Sequence, residues 1–301
     1  MYKEYLNNLI ISDNFLDKYL ESKALLRLKK VGYFCGMDYA SKDIYDFPEY
    51  ISRFDHSLDV ALLTYRFTNN KKEAIAGLIH DISTPCFSHV IDYMNKDYST
   101  QESTEEKTSD IVRSDKYLLN CLNEDKIDVD EVINFKNYSI VDNNRPKLCA
   151  DRLDGVILTG MFWTKELNIL DVKRILDSLD IYLNEDNEKE IGFNNLEIAK
   201  KIIDVSNNID RFCHSKEDNY MMELLANLTK YIIDNKYLHY EDLYYLNEEE
   251  VHKIFSSVKD SKFQDKYNLF KNISKDNIKD IEMPYIKKRD LNPLVNGRRI
   301  I

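Results

Sequence analysis

The chain has 301 residues, 43% hydrophobic and 32% charged, long enough to bury a sizeable core as one large domain or two smaller ones. Its 42 Lys and Arg against 53 Asp and Glu leave a net charge of −11, which argues against general binding to nucleic-acid backbones, where phosphate attraction needs clustered cations. No apolar run reaches the roughly 18 residues of a membrane span, and the start, MYKEYLNNLIISDNF, lacks a secretory pattern, so the reading is a cytoplasmic protein without a membrane partner. Seven glycines and five prolines are few against average usage of about 7% and 5%, which predicts an all-α fold. Cys35, Cys86, Cys121, Cys149 and Cys213 are scattered without a C-x-x-C pair and read as buried free thiols.

In residues 2–31 apolar positions recur at helical spacing, Tyr2, Tyr5, Leu6, Leu9 and Ile10, then Phe15, Leu16, Tyr19 and Leu20, with Ser12 and Asp13 as the cap between two short helices. GYFCGMDYASKDIYDFPEY, residues 32–50, is rich in turn formers and predicts a long loop, a length at which loops are often functional. HSLDVALLTYRF predicts a helix with Leu58, Ala61, Leu62 and Tyr65 inward. KKEAIAGLIHDI predicts a second, carrying Ala74, Ile75, Leu78 and Ile79. At STP the chain bends, because Thr84 precedes Pro85, and a further helix is expected near Phe87, presenting His89. NKDYSTQESTEEKTSD, residues 95–110, reads as an exposed connection, and LCADRLDGVILTGMFW as a helix with Leu153, Val156, Ile157 and Met161 on one side. From about residue 165 helix follows helix, interrupted by the acidic NEDNEKE at 184–190, read as a solvated loop, and by a turn near Asn235 and Lys236. YIKKRDLNPLV is expected to be a short extended segment near the end.

Three separated segments deliver metal-ligating residue types: His56 in SRFDHSLDV, His80 and Asp81 in GLIHDIS, and Asp151 in CADRLDG. The stretch from His56 to His80 has room for helix, turn and helix, enough to bring both imidazoles together. Two imidazoles and two carboxylates offer a mixed nitrogen and oxygen site to one divalent cation, Mn, Fe, Zn, Co or Ni rather than Ca. A lone His-Asp pair would as readily be a core histidine ion-paired at a helix end; four such residues in register favour the metal.

The order H…HD…D, with RLKKVGYFCGMDYA, SRFDHSLDVALL, AGLIHDISTPCFSH and ADRLD in succession, resembles the HD-domain metal-dependent phosphohydrolases, nearest the deoxynucleoside-triphosphate triphosphohydrolase-like branch. The resemblance covers about residues 25–165 and is weaker in EDLYYLNEEEV and KKRDLNPLV. It implies an HD-domain helical bundle with a helical C-terminal extension: an N-terminal helical segment and pocket loop (1–44), a metal-binding core (45–165) and a helical C-terminal region packed on it (166–301). It also implies His56, His80, Asp81 and Asp151 as metal ligands, Arg53 and Arg152 on the substrate phosphate, and His89 in the pocket. The expected activity is hydrolysis of a phosphoester or phosphoanhydride in a small phosphorylated metabolite, first of all a nucleotide, with His89, Asp81 and Arg53 as catalytic groups.

The chain departs from that branch at four places. Thr84 stands where the branch has a histidine, Gln101 and Glu102 stand in place of a catalytic His-Glu pair, Gly155 replaces an aromatic that packs on the sugar, and Tyr33 replaces a sugar-contacting glutamine. The triphosphate specificity of the branch is therefore not carried over. Tyr33, in the loop overhanging the pocket, is a candidate substrate contact. Asp154, one helical turn after Asp151, either joins the pocket as a substrate contact or pairs with Arg152 or Lys147 at the surface, and Arg53 has an ion pair with Asp55 as its plainer alternative. His214, His239 and His252 read as surface or packing residues. A non-catalytic metal- or nucleotide-binding regulatory protein is the alternative left by the missing His-Glu pair. Two-iron oxidative chemistry would need more histidines than the single His89 between His80 and Asp151. The sequence leaves room for a homo-oligomer.

Overall fold

The computed structural model describes residues 1–10, 13–99, 105–279 and 285–300. The N-terminal stretch forms α1 (Tyr2–Leu9), a 3-10 turn at Tyr19–Glu21 and α2 (Lys23–Leu28). The second helix starts later than the periodicity suggests because Ser22 caps it, accepting the Leu25 N–H. Ser12 lies outside the described residues, and Asp13 turns the chain by accepting the Phe15 N–H while pairing with Lys71. Residues 32–50 form the expected loop, with one 3-10 turn at Met37–Tyr39 and a β-bridge between Gly32 and Ser52 closing its ends.

Ser52 also opens α3 (Arg53–Thr68) through a capping box with Asp55, and Asn70 opens α4 (Lys71–Ile79) by accepting the Lys72 N–H. The α3 helix is buried on most sides, with Asp59, Val60, Leu63 and Thr64 inside as well as Ala61 and Leu62; Leu58 and Tyr65 are only half-buried. Phe87 and Ser88 follow with φ of 67° and 47°, a left-handed geometry that interrupts the helical path. As a result α5 (Val90–Asn95) begins three residues later than expected and His89 becomes its N-cap. Next come α6 (Thr108–Ser114), α7 (Lys116–Glu124) and α8 (Val129–Ile133), then α9 (Ala150–Phe162), where Leu153, Val156, Ile157 and Met161 are all buried as predicted.

After α10 (Ile169–Ser178) the structure adds something the helical reading did not contain. The segment before the acidic run and the one that begins with its last two residues pair as β1 (Leu179–Leu183) and β2 (Lys189–Phe193), antiparallel, with Leu179 opposite Phe193. β3 (Leu294–Val295) joins β2 in parallel and β4 (Arg298–Arg299) folds back against it. Glu190, read from sequence as part of a solvated loop, is fully buried, where Arg299 Nη1 donates to it at 2.6 Å and the Leu148 N–H at 3.1 Å. Four further helices, α11 (Leu196–Cys213), α12 (Lys216–Asp234), α13 (Glu248–Ser257) and α14 (Ser261–Asn272), complete a mostly helical bundle with a helical C-terminal extension. All five cysteines are free, and among the described residues no helix is long and apolar enough to cross a membrane.

The apolar side chains gather in two clusters. One is built on α1, α3, α4 and α9, with Tyr5, Leu63, Ile79 and Leu153; the other on α5, α12, α13 and α14, with Val90, Leu225, Val251 and Phe263. Full burial of such side chains contributes about 1.5–3 kcal/mol each. Residues of both clusters line a cavity of about 880 Å3 between them.

Candidate metal centre

Helix ends supply the centre. His56 lies in the second turn of α3, His80 caps the C-terminus of α4 with Asp81 next to it, and Asp151 is the second residue of α9. Because α3 packs against both α4 and α9, these ends meet at the cavity. His56 Nε2 lies 3.1 Å from Asp151 Oδ1 and 3.9 Å from Asp81 Oδ2; the corresponding distances from His80 Nε2 are 3.7 and 3.8 Å. One ligand atom each of His56, His80 and Asp151 falls within 4.8 Å of the others, with Asp81 beside them.

Each imidazole is fixed by its other nitrogen. His80 Nδ1 donates to the Gly77 carbonyl at 2.7 Å, which leaves Nε2 facing the carboxylates, buried and without a hydrogen-bond partner among the described residues. A buried polar atom left unsatisfied costs about 1–3 kcal/mol, and a cation among these nitrogen and oxygen donors would satisfy it. His56 Nδ1 lies 2.7 Å from Asp154 Oδ2, and Asp154 Oδ1 accepts the Tyr5 hydroxyl at 2.5 Å. Carboxylates behind metal-ligating histidines commonly fix the ring and raise its basicity. Asp154 is fully buried and absent from the cavity lining, so neither the substrate contact nor the surface pairing expected for it is found.

The electrostatics follow from packing opposite charges out of water. Burial pushes the Asp81 carboxyl up, but the charges of His80 and Arg53 more than offset it and hold it at about 2. Burial likewise opposes a charged His56, yet hydrogen bonds to Asp151 and Asp154 raise it to about 10. Asp151, half-buried, is held well below the ordinary carboxylate range by both imidazoles. Asp81 and Asp151, held ionised, and the two imidazoles make the floor of the cavity; a bound cation would displace the imidazole protons.

Arg53 does not pair with Asp55, which is engaged in the capping box; its Nη1 donates to Asp81 Oδ2 at 2.9 Å and its guanidinium lies 4.9 Å from the centre of the Tyr33 ring. Tyr33 reaches over the floor, 5.0 Å ring to ring from His56. A Cβ on Gly155 would stand 3.0 Å from its hydroxyl, so the tyrosine occupies the space beside Gly155. His89 is half-buried on the cavity wall, with Nδ1 2.9 Å from Asp92 Oδ2. Arg152, expected on the substrate phosphate, also reaches the cavity. Nη1 donates to Asn143 Oδ1 and to the Lys147 carbonyl, and Nη2 to the Asn143 carbonyl. Those donors hold the 143–147 loop in place.

Thr84 is fully buried and away from the cavity, its carbonyl accepting Arg27 Nη2 at 2.6 Å. Gln101 and Glu102 lie outside the described residues. His252 packs internally against Tyr39 and Tyr267, and His214 Nδ1 donates to the Asp210 carbonyl. Arg145, Trp163, Asp218 and Arg289 also line the cavity, although sequence reasoning singled out none of them. The cationic NNRPK and KKRDLNP segments were the available signal for the two arginines; nothing local marks Asp218.

A helical bundle that gathers His, His-Asp and Asp from three helix ends at one cavity defines a protein with a candidate metal centre. Residues 53–185 match the HD domain family, a span that contains His56, His80, Asp81 and Asp151. The chain is 27% identical over 168 residues, 56% of its length, to the Bacillus subtilis protein YdhJ. It is 28% identical over 133 residues, 43% of its length, to the metal-dependent phosphohydrolase cns2 of Cordyceps militaris. It spans 49% and 36% of the lengths of those two proteins. Together the matches support the HD superfamily for the helical core.

Proposed function

We propose that the protein is a metal-dependent phosphohydrolase cleaving a phosphoester or phosphoanhydride of a small phosphorylated metabolite, with a nucleotide as the first candidate. The observation that carries the reading is His80 Nε2, buried, without a hydrogen-bond partner among the described residues and turned toward His56 and Asp151. His56, His80, Asp81 and Asp151 would hold one divalent cation of the Mn, Fe, Co, Ni or Zn type. Such a cation, when bound, polarises phosphoryl oxygens and lowers the pKa of bound water. Arg53 brings positive charge to the phosphoryl group, Tyr33 covers the floor against the substrate, and His89, oriented by Asp92, passes a proton to the leaving oxygen. In this reading residues 45–165 are the metal-binding core, 1–44 supply the loop over it and 166–301 pack on it, in a cytoplasmic protein whose partner is a small molecule.

Metal analysis of the purified protein, followed by hydrolysis assays over nucleotides and p-nitrophenyl phosphate, tests the proposal. One equivalent of divalent metal is expected, with Asp81→Ala losing both metal and activity. Protein that holds no metal, and an Asp81→Ala variant indistinguishable from it, would refute the reading. Tight metal binding without cleavage of any ester or anhydride would assign the regulatory role instead.

A further inference from the structure

The cavity that holds the candidate ligands has a further part, an end walled by Tyr45, Phe47 and Trp163. The Tyr45 ring lies 5.7 Å from Phe47 and 6.1 Å from Trp163, and Phe34 stacks behind Phe47 at 4.3 Å, so the wall is one aromatic surface. Asp218, in the first turn of α12 and 8% exposed, lines the same space. Its Oδ1 accepts the Tyr45 hydroxyl at 2.6 Å; among the described residues nothing donates to Oδ2 and no cation is within ion-pairing distance. Burying a carboxylate without a partner is costly, and burial pushes this one up to about 7. Arg289 lines the cavity as well, and its charge acts both on Asp218 and on Tyr33 over the metal floor. An acceptor-only group beside an aromatic wall is suited to a flat ring that stacks on its face and donates from its edge.

We infer that this end is a base compartment in which Asp218 selects guanine, an inference that rests on the nucleotide reading above. Guanine presents two adjacent donors on one edge, N1–H and the N2 amino group, to the two oxygens of a carboxylate. Adenine and cytosine place an acceptor nitrogen beside their amino group, and uracil flanks its single N–H with two carbonyls, so each sets a lone pair against Asp218. A site built to receive hydrogen bonds discriminates strongly against ligands that lack the donors.

Trp163 is the chain's only tryptophan and stands in the wall, so its fluorescence reports occupancy without requiring turnover. The full chain is titrated with GMP, AMP, CMP, UMP and IMP in the presence of Mn2+ at pH 8, where Asp218 is ionised. GMP is expected to change the Trp163 emission and to bind about ten-fold or more tightly than the other four, the scale of one good bidentate base contact. IMP isolates the effect of the N2 amino group in the unaltered protein. Asp218→Asn, with its fold verified by circular dichroism, is expected to reduce the GMP preference to within about two-fold. Equal binding of GMP and IMP, or a preference that survives in Asp218→Asn, would overturn the inference. Selective GMP binding with no hydrolysis sustains the compartment and refutes the hydrolase, whereas hydrolysis without base preference refutes the compartment alone.

Discussion

His56 is set by what stands behind it. Asp154 and Tyr5 form a buried line to its Nδ1, and such supporting partners typically contribute 10–100-fold in metal affinity. Asp154→Asn is therefore expected to weaken metal binding by roughly that factor, and Tyr5→Phe by less, measured by competition with a chromophoric chelator. Unchanged affinity in Asp154→Asn would remove the line from any account of the site. From sequence alone Asp151 and Asp154, one helical turn apart, look like neighbours on a face. The structure separates their tasks because α9 turns Asp151 to the cavity while Asp154 is closed in by α1 and α3. The types and order of the four candidate ligands were legible because each sits in a short, recognisable segment. The contacts that orient them come from Tyr5 and Gly77, which carry no such mark.

At the scale of elements, α9 and the loop before α3 are fitted to each other at Gly155 and Tyr33. A glycine inside a helix costs about 1 kcal/mol relative to alanine, yet a Cβ here would stand 3.0 Å from the Tyr33 hydroxyl, tight enough that the ring must shift. Gly155→Ala is accordingly expected to stabilise a Tyr33→Phe background by about 1 kcal/mol and the parent chain by clearly less, read from urea unfolding of the four proteins. Additive effects would mean that the hydroxyl does not occupy that space. The helices themselves were largely legible, since caps such as Ser52 with Asp55 and Asn70 act within a few residues. The ribbon was not. NEDNEKE is polar, and the strands around it become a sheet only because Leu294 and Val295 pair with Gly192 and Phe193 and Arg299 neutralises Glu190. Those partners lie too far along the chain for local periodicity to register.

Across the whole molecule, Glu248 ties distant pieces together at the head of α13. Its N–H donates to the Lys30 carbonyl at 3.2 Å and its carboxylate accepts the Phe87 N–H at 3.3 Å, fully buried. Burial and the charge of Asp38 push its carboxyl up to about 8 from an ordinary 4.5, and burial raises Asp38 to about 7. The folded chain then keeps protons that the unfolded chain releases, so this contribution is fully present below about pH 4.5 and is lost as pH rises through about 8. Glu248→Gln is expected to flatten the decline of stability between pH 5 and pH 8 and to exceed the parent at pH 8, measured by urea unfolding at both values. An unchanged slope would show that Glu248 is not the group responsible.

The sequence by itself determined a helical protein, its main helices and the identities of His56, His80, Asp81 and Asp151, because helix periodicity, capping and short motifs are all written within a few residues. Only the tertiary structure decided that Arg53 answers Asp81, that Arg152 braces a loop, that Asp154 stands behind His56, and that Asp218 faces the same cavity as the metal floor. Each of these depends on which elements pack together. That choice is made by the burial of two apolar clusters drawn from the whole chain, not by the local pattern around any one residue.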